Sequence, residues 1–148
     1  MKKRFLAFSL MGLIFLGACS ILEDVNNTVT YVNEATDYVN EVSTFINEAP
    51  ALAEQAVTDE QSMVDLETKL TEMQDDMVSF NSLEPPEMAA DLHQQIVDYN
   101  QQAEEGINLY IENIENGQID PALFENSEMF QTLQNVTNTI DQIKQLGE

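Results

Sequence analysis

The chain has 148 residues, 43% of them hydrophobic, and a formal net charge of −22. All 27 acidic residues follow residue 19, where the only basic residues are Lys69 and Lys144, so this part of the chain carries −25. Such a body excludes nucleic acid as a partner, because neutralising phosphates requires lysine and arginine. High charge is also typical of disordered chains, but the hydrophobic content and the clear periodicity predict a folded domain.

The first eighteen residues have the pattern of an export signal. Lys2, Lys3 and Arg4 precede an uncharged, mostly apolar run of twelve residues at 5–16. A helix needs about 20 apolar residues to cross a bilayer, so this run is too short for a permanent span. A basic start followed by a short apolar segment is instead typical of a cleavable signal. We predict a signal peptide at 1–18 and a mature domain at 19–148.

The signal ends in Leu16, Gly17, Ala18 and Cys19, a sequence that resembles the lipobox of bacterial lipoproteins. The resemblance implies that the signal peptidase recognises Leu16, Gly17 and Ala18, and that the Cys19 sulfur receives a diacylglyceryl group. Cys19 is the only cysteine, so an exported chain offers it no disulfide partner. The alternative is an ordinary secretory signal with an incidental cysteine. The lipoprotein interpretation predicts a lipid anchor at the extracytoplasmic face of the cell membrane.

A repeat opens the mature domain. The segment YVNEATDYVNEVSTFINEA at 31–49 places an aromatic, an aliphatic, an amide and an acid every seven residues. Two sets at complementary heptad positions predict the seam of a packed helix: Val25, Val32, Val39 and Ile46, with Thr28, Ala35, Val42 and Ala49 three residues later. Tyr31, Tyr38 and Phe45 adjoin this seam. They either pack against a neighbouring helix, which we prefer, or form an exposed partner-binding stripe.

Turn signals separate this helix from a second one. Pro50 predicts the end of the first helix, and residues 51–57 suit a short helical piece. Thr58 and Gln61 resemble a capping box. The apolar residues that follow are spaced by three and four, which predicts an amphipathic helix: Met63, Leu66, Leu70, Met73, Met77 and Phe80.

Two more helices complete the predicted fold. Pro85-Pro86 suits the start of a third helix, and Asn116-Gly117 suits its end. The third helix should bury Ala89, Leu92, Ile96, Tyr99, Ala103, Ile107, Tyr110 and Ile114. Asp120-Pro121 opens a last helical region with Leu133, Val136, Ile140, Ile143 and Leu146 on its apolar face. No segment has the pattern of a strand, so we predict an all-α, antiparallel bundle of about four amphipathic helices.

The sequence contains little that supports catalysis. His93 is the only histidine, and its place on the flank of the third helix's apolar face predicts a structural or surface role. With Cys19 lipidated, no cysteine nucleophile or thiolate metal site is left. The loop at 112–117 fails as an EF-hand, because Ile114 stands where an oxygen ligand is needed. We therefore expect no enzyme, no catalytic or metal-binding residue and no cofactor.

Four stretches together resemble a family of small, uncharacterised lipoproteins of Bacillaceae-type Gram-positive bacteria. They are LGACS at 16–20, YVNEATDYVNE at 31–41, PALAEQAVTDEQ at 50–61 and LEPPEMAADLHQQIVDYN at 83–100. That family carries only a label of unknown function. The resemblance therefore implies a membrane-anchored location, and it supplies no substrate, cofactor or catalytic residue.

Two classes of function fit these observations. The first is a non-enzymatic, lipid-anchored bundle that binds or spaces envelope components, with an unknown envelope protein as its partner. The second is a binder or sensor of cationic ligands, either metal ions or cationic peptides, attracted by the acidic body. The two classes differ in their response to salt, because electrostatic capture weakens steeply with ionic strength and an apolar contact does not.

Overall fold

Four α-helices account for most of the chain that the structure describes. In the computed structural model, the backbone is described for residues 18–121 and 127–146, and the side chains for residues 27–121 and 127–145. The helices are α1 (Ala18–Ala56), α2 (Glu60–Asn81), α3 (Ala90–Glu115) and α4 (Glu128–Leu146), with a turn of 3-10 helix at Glu87–Ala89 before α3. No strand occurs in these residues, so the all-α prediction is confirmed.

The helices form an antiparallel bundle in which each helix packs against two neighbours. Helix α1 contacts α2 and α4, and α3 contacts the same two helices. Within the described residues, the backbones of the diagonal pairs, α1 with α3 and α2 with α4, do not meet. The chain therefore follows an up-down-up-down path around one core, as short connections favour. Helices α3 and α4 approach closely at Gly106, where an added Cβ would lie 2.8 Å from the Cβ of Met129.

The core face of α1 is rotated slightly from the predicted seam, toward the aromatic residues. A series of buried side chains on this face is spaced alternately by four and three residues: Tyr31, Ala35, Tyr38, Val42, Phe45 and Ala49. Val32 and Ile46 are only half-buried and flank this face, while Val39 is buried. Val25 lies outside the residues whose side chains are described. The aromatic rings take the centre because they bury the largest apolar area per residue.

The prediction that Pro50 ends the first helix is wrong. Helix α1 continues through Pro50 as far as Ala56, and so includes all but the last residue of the predicted short piece at 51–57. An internal proline removes one backbone hydrogen bond and clashes with the carbonyl four residues earlier, at a cost of about 3 kcal/mol. Ala49, Ala53 and Ala56 are buried on either side of it. Burial of the continuing helix face therefore offsets the cost of the proline.

The start of α2 also differs from the prediction by one residue. Asp59, and not Thr58, is the N-cap, and its carboxylate accepts hydrogen bonds from the backbone N–H and the hydroxyl of Ser62. These bonds hold the pKa of Asp59 below its usual value. The predicted apolar face of α2 is confirmed, with Met63 half-buried and the other five residues fully buried.

The boundaries of α3 are close to those predicted. Pro85 and Pro86 precede the 3-10 turn, with Pro86 in extended conformation, rather than forming the first turn of the helix. The predicted end is confirmed, because Gly117 adopts a φ of +70° and the N–H of Gln118 bonds back to the carbonyl of Asn113 at 2.8 Å. Beyond the turn at Pro121, residues 122–126 lie outside the described part of the chain.

The buried face of α3 contains two polar residues that were not predicted there. Of the predicted apolar residues, Leu92 and Tyr99 are half-buried and the others are buried. His93 and Asn100 join them in the core, seven residues apart on the same side of the helix. A buried polar group requires a hydrogen-bond partner. The partners of His93 and Asn100 therefore define the first candidate site.

Candidate functional site

The three aromatic rings of the repeat lie inside the bundle. Tyr31 is 2% exposed, Tyr38 is 5% exposed and Phe45 is 2% exposed. The rings agree with the preferred packing interpretation. The alternative of an exposed partner-binding stripe is wrong, because the rings occupy the core positions of α1.

Two tyrosine hydroxyls of α1 reach across the bundle to α3. The hydroxyl of Tyr31 lies 3.0 Å from Nδ1 of His93, and the hydroxyl of Tyr38 donates to Oδ1 of Asn100 at 2.6 Å. Each pair is separated by 62 residues in the sequence, so the two bonds step together by one heptad along two parallel helices. These two bonds join α1 to α3, a diagonal pair of helices whose described backbones are not in contact.

The end of α2 completes this arrangement. The amide of Asn100 donates to Oδ1 of Asn81 at 2.8 Å. The ring of Phe80 stacks on Tyr38 with the ring centres 4.6 Å apart, and it lies 5.0 Å from the ring of His93. Every buried polar side-chain atom in the described residues has a hydrogen-bond partner. We call this set the buried polar cluster: Tyr31, Tyr38, Phe80, Asn81, His93 and Asn100.

Burial keeps the titratable groups of the cluster neutral. It lowers the pKa of His93, and a hydrogen bond to the backbone of Asn81 opposes the shift. A neutral imidazole that donates to a carbonyl through one nitrogen can accept a hydrogen bond from the Tyr31 hydroxyl at the other. Burial also raises the pKa of Tyr31 and of Tyr38, and the hydrogen bond with Asn100 opposes the shift at Tyr38. The cluster is suited to joining three helices, because its polar atoms are already paired with one another.

An open cleft of about 800 Å³ lies at the same end of the bundle. Tyr31 forms part of its wall, and Glu34, Glu84 and Glu87 make its lining acidic. The lining residues are Asn27, Thr28, Thr30, Tyr31, Glu34, Glu84, Pro85, Pro86, Glu87 and Met88. In the parts of the chain that are described, no three histidine, cysteine or acidic side chains are arranged to hold a metal ion. The cleft therefore has acidic character without the geometry of a metal centre.

Lys69 and Lys144, the two lysines of the described residues, both form ion pairs. Lys69 Nζ lies 2.6 Å from a carboxylate oxygen of Glu48, joining α2 to α1. Lys144 Nζ lies 3.3 Å from a carboxylate oxygen of Asp141, one turn earlier on α4. All four side chains are partly exposed, where such pairs contribute little to stability. The excess of carboxylates therefore dominates the surface.

The predicted lipid-attachment residues fall at the boundary of the described chain. Leu16 and Gly17 lie outside it, and Ala18 and Cys19 are described by their backbone alone, as the first residues of α1. Lipidation of Cys19 and recognition of Leu16, Gly17 and Ala18 thus stay predictions. Across residues 18–121 and 127–146, no helix combines the length and apolarity needed to cross a membrane.

The fold and the cluster define a class of protein, a small acidic four-helix bundle with hydrogen-bonded polar layers in its core. The chain belongs to the family of unknown function DUF6376, whose model matches residues 31–146. It is similar to the "Uncharacterized lipoprotein YybP" of Bacillus subtilis (strain 168), with 36% identity over 138 residues, or 93% of each chain. No solved structure matches it. These findings confirm the resemblance to small uncharacterised lipoproteins.

Asn81 and Asn100 are not among the residues predicted from the sequence, and no partner is predicted there for His93. One signal was present, because His93 and Asn100 are seven residues apart, as are Tyr31 and Tyr38. Two polar residues at one heptad position of α3 match two hydroxyls at one heptad position of α1. This pattern predicts that each hydroxyl bonds to one polar residue of α3 only when the two helices are known to run parallel across the same core.

Proposed function

We propose that this protein is an extracytoplasmic lipoprotein, anchored in the cell membrane by a diacylglyceryl group on Cys19, and that it acts there as a non-enzymatic module that binds or spaces envelope components. The lipobox-like LGAC at 16–19 supports the anchor, as does the similarity to a protein named a lipoprotein. Two acyl chains give stable anchoring, since each buried methylene contributes about 0.8 kcal/mol.

The observation that carries the spacing role is the continuity of α1. This helix runs for 39 residues from Ala18 to Ala56, a length of about 58 Å at 1.5 Å per residue. It begins beside the proposed anchor and becomes a core helix at Tyr31. A helix without a flexible linker would hold the bundle at a set distance from the membrane.

The absence of an enzymatic role belongs to the same proposal. Its support is that the chain's only histidine is bonded inside the buried polar cluster. Tyr31 and Tyr38 are bonded there too, with the pKa of each raised by burial. The groups best suited to acid–base chemistry are therefore committed to joining helices.

Lipid labelling tests the anchor. Cells that express the full chain with Cys19→Ser should incorporate no labelled fatty acid into it, and the protein should accumulate uncleaved or be shed. A Ser20→Ala variant serves as the matched control and should be labelled like the wild type. Unchanged labelling of Cys19→Ser would show that the cysteine is incidental.

Insertion of a flexible segment tests the spacing role. Several glycines inserted between residues 26 and 27 should interrupt α1 below the bundle while leaving the lipid in place. In-cell crosslinking should then lose the contacts made by the wild type, because the body would no longer be held at one distance. An equal number of inserted alanines, which preserve the helix, provides the comparison. Identical crosslinks in all three proteins would count against a spacer.

A second candidate function, capture of cationic ligands, is favoured by one surface. Asp76 has a raised pKa, first because of its partial burial and then because of the nearby carboxylates Glu41, Glu72 and Asp75. A lysine-rich peptide should bind such a surface, and the binding should weaken steeply as salt is added. Binding that is indifferent to salt would argue against this candidate.

A further inference from the structure

The outer part of α4 is uncharged in a chain that is otherwise strongly acidic. Helix α4 has no charged residue between Glu128 and Asp141, and it exposes Gln131, Gln134, Asn135 and Asn138 in that interval. The next charged residue, Asp141, is paired with Lys144. A stretch of twelve residues without a carboxylate stands out where the domain carries 27 acids.

Two glutamates of the repeat in helix α1 lie toward α2. Glu48 is bonded to Lys69 of α2, and Glu41 interacts with Asp76 of α2. The asparagines of the same repeat are exposed, and Asn47 lies toward α4. Glu41 and Glu48 therefore face one neighbour of α1, and the amide of Asn47 faces the other. The part of the α1–α4 face between Ser43 and Asn47 on α1 and between Gln134 and Asn138 on α4 is thus uncharged.

A groove of about 330 Å³ runs along this face. Its lining, which we call the amide groove, consists of Ser43, Ile46, Asn47, Gln134, Thr137 and Asn138. The side chains of Gln134 and Asn138 form no hydrogen bond to another described residue. The amide nitrogen of Asn47 donates to the carbonyl of Ser43 at 2.8 Å, which leaves the Asn47 amide oxygen as an acceptor.

We propose that the amide groove binds an uncharged carbohydrate. Each free amide offers two N–H donors and a carbonyl acceptor, and sugar hydroxyls both donate and accept. The half-buried Ile46 provides an apolar patch for the C–H face of a sugar ring. A cation would be drawn to the carboxylates elsewhere, and an anion would be repelled by the domain as a whole. The groove is open to solvent along its length, so a bound sugar would lie against the amides with its other face in water.

This inference rests on the proposed interaction role and names the partner's chemistry. Because lipid labelling at Cys19 is measured separately, failure of the carbohydrate proposal leaves the anchor standing. If Cys19 proved not to be lipidated, the sugar titration would still test carbohydrate binding.

The test is a titration of the full-length chain, purified in detergent micelles, with N,N′-diacetylchitobiose and tetra-N-acetylchitotetraose as uncharged probes. The side-chain amide signals of Asn47, Gln134 and Asn138 should shift saturably in NMR spectra. The double variant N47D/N138D should weaken binding about tenfold or more, a change equivalent to about 1.4 kcal/mol. The matched control Q101E/Q102E adds the same charge to exposed positions of α3 and should bind like the wild type.

The outcomes separate carbohydrate binding from its rivals. Saturable shifts that are lost in N47D/N138D, kept in Q101E/Q102E and insensitive to salt support the proposal. The absence of saturable binding, or equal binding by both variants, overturns it. Binding that weakens steeply with salt overturns it in favour of ionic capture. Self-association that is lost in N47D/N138D, without sugar binding, overturns it and makes this face a contact between two copies of the chain.

Discussion

Tyr38 shows most directly what a hydroxyl inside the core requires. Its ring stacks on Phe80, and its hydroxyl donates to Asn100 at the short distance of 2.6 Å. Asn100 is fully buried, so the loss of this donor leaves its carbonyl oxygen without water to replace it. The amide of Asn100 keeps its bond to Asn81. The hydroxyl and the ring of Tyr38 can therefore be tested separately.

Tyr38→Phe should destabilise the bundle by about 1–3 kcal/mol, the cost of leaving a buried polar group unpaired. Tyr38→Ala should cost about 3–5 kcal/mol, because the ring is lost as well. Guanidinium unfolding of residues 20–148, followed by circular dichroism, measures both effects. Tyr99→Phe is the control, since Tyr99 is half-buried and forms no side-chain hydrogen bond among the described residues. Equal effects of Tyr38→Phe and Tyr99→Phe would contradict the proposed role of the hydroxyl.

His93 should make stability depend on pH. Its pKa is lowered in the folded state by burial, against about 6.5 in an unfolded chain. The unfolded state therefore binds a proton that the folded state does not, and stability falls as the pH drops from about 6.5 to the lowered folded value. Above about pH 6.5, His93 is neutral in both the folded and the unfolded state, and this loss of stability is absent.

Comparison with His93→Gln isolates this contribution. The free energy of unfolding should fall more in the wild type than in the variant between about pH 7.5 and pH 5.5. Glutamine can still accept and donate hydrogen bonds but does not titrate. Carboxylate titration is shared by both proteins and cancels in the difference. Parallel pH profiles would show that His93 keeps its ordinary pKa.

The repeat in α1 makes sense only as part of the bundle. Its aromatic position fills the core, and two of its three aliphatic residues flank the core. Glu41 and Glu48 lie toward α2, and the amide of Asn47 lies toward α4. The third ring is Phe45, not tyrosine, and the 62-residue offset of the first two pairs assigns it to Ile107. Ile107 has no polar side-chain atom, so a hydroxyl there would lack the partner that His93 and Asn100 supply.

Pro50→Ala should stabilise the bundle by about 1–3 kcal/mol. It restores the missing backbone N–H and removes the ring that clashes with the carbonyl four residues earlier. The gain is reduced by the greater freedom of the unfolded chain without proline. Chemical unfolding of the two proteins measures the change. A loss of stability would mean that the proline ring itself is needed for packing, and Pro50→Leu, which restores an apolar side chain, would then recover more stability than Pro50→Ala.

The charge of the domain should make its stability depend on salt. With −25 after residue 19, the carboxylates repel one another most strongly when screening is weak. The melting temperature should therefore rise by several degrees from low salt to about 0.15 M NaCl, where the screening length is about 8 Å. Calorimetry in NaCl and in MgCl₂ at equal ionic strength provides the measurement. A melting temperature indifferent to NaCl would contradict the repulsion, and a much larger rise in MgCl₂ would indicate bound cations instead of screening.

Local sequence determined the helical character, the faces of α2 and most of α3, the turn at Gly117 and the acidity of the domain. These features follow from the 3.6-residue period, from glycine's freedom at positive φ and from simple charge counting. They depend on residues within a few turns of one another. A short window of sequence is therefore enough to predict them.

Tertiary structure alone decided the path through Pro50, the central place of the aromatic rings and the partners of the polar core residues. A penalty of about 3 kcal/mol at one proline is outweighed only when neighbouring helices bury the turns on both sides. The bonds of Tyr31 and Tyr38 join residues 62 positions apart. Such pairs are set by which helices share the core and in which direction they run, and no local periodicity contains that information.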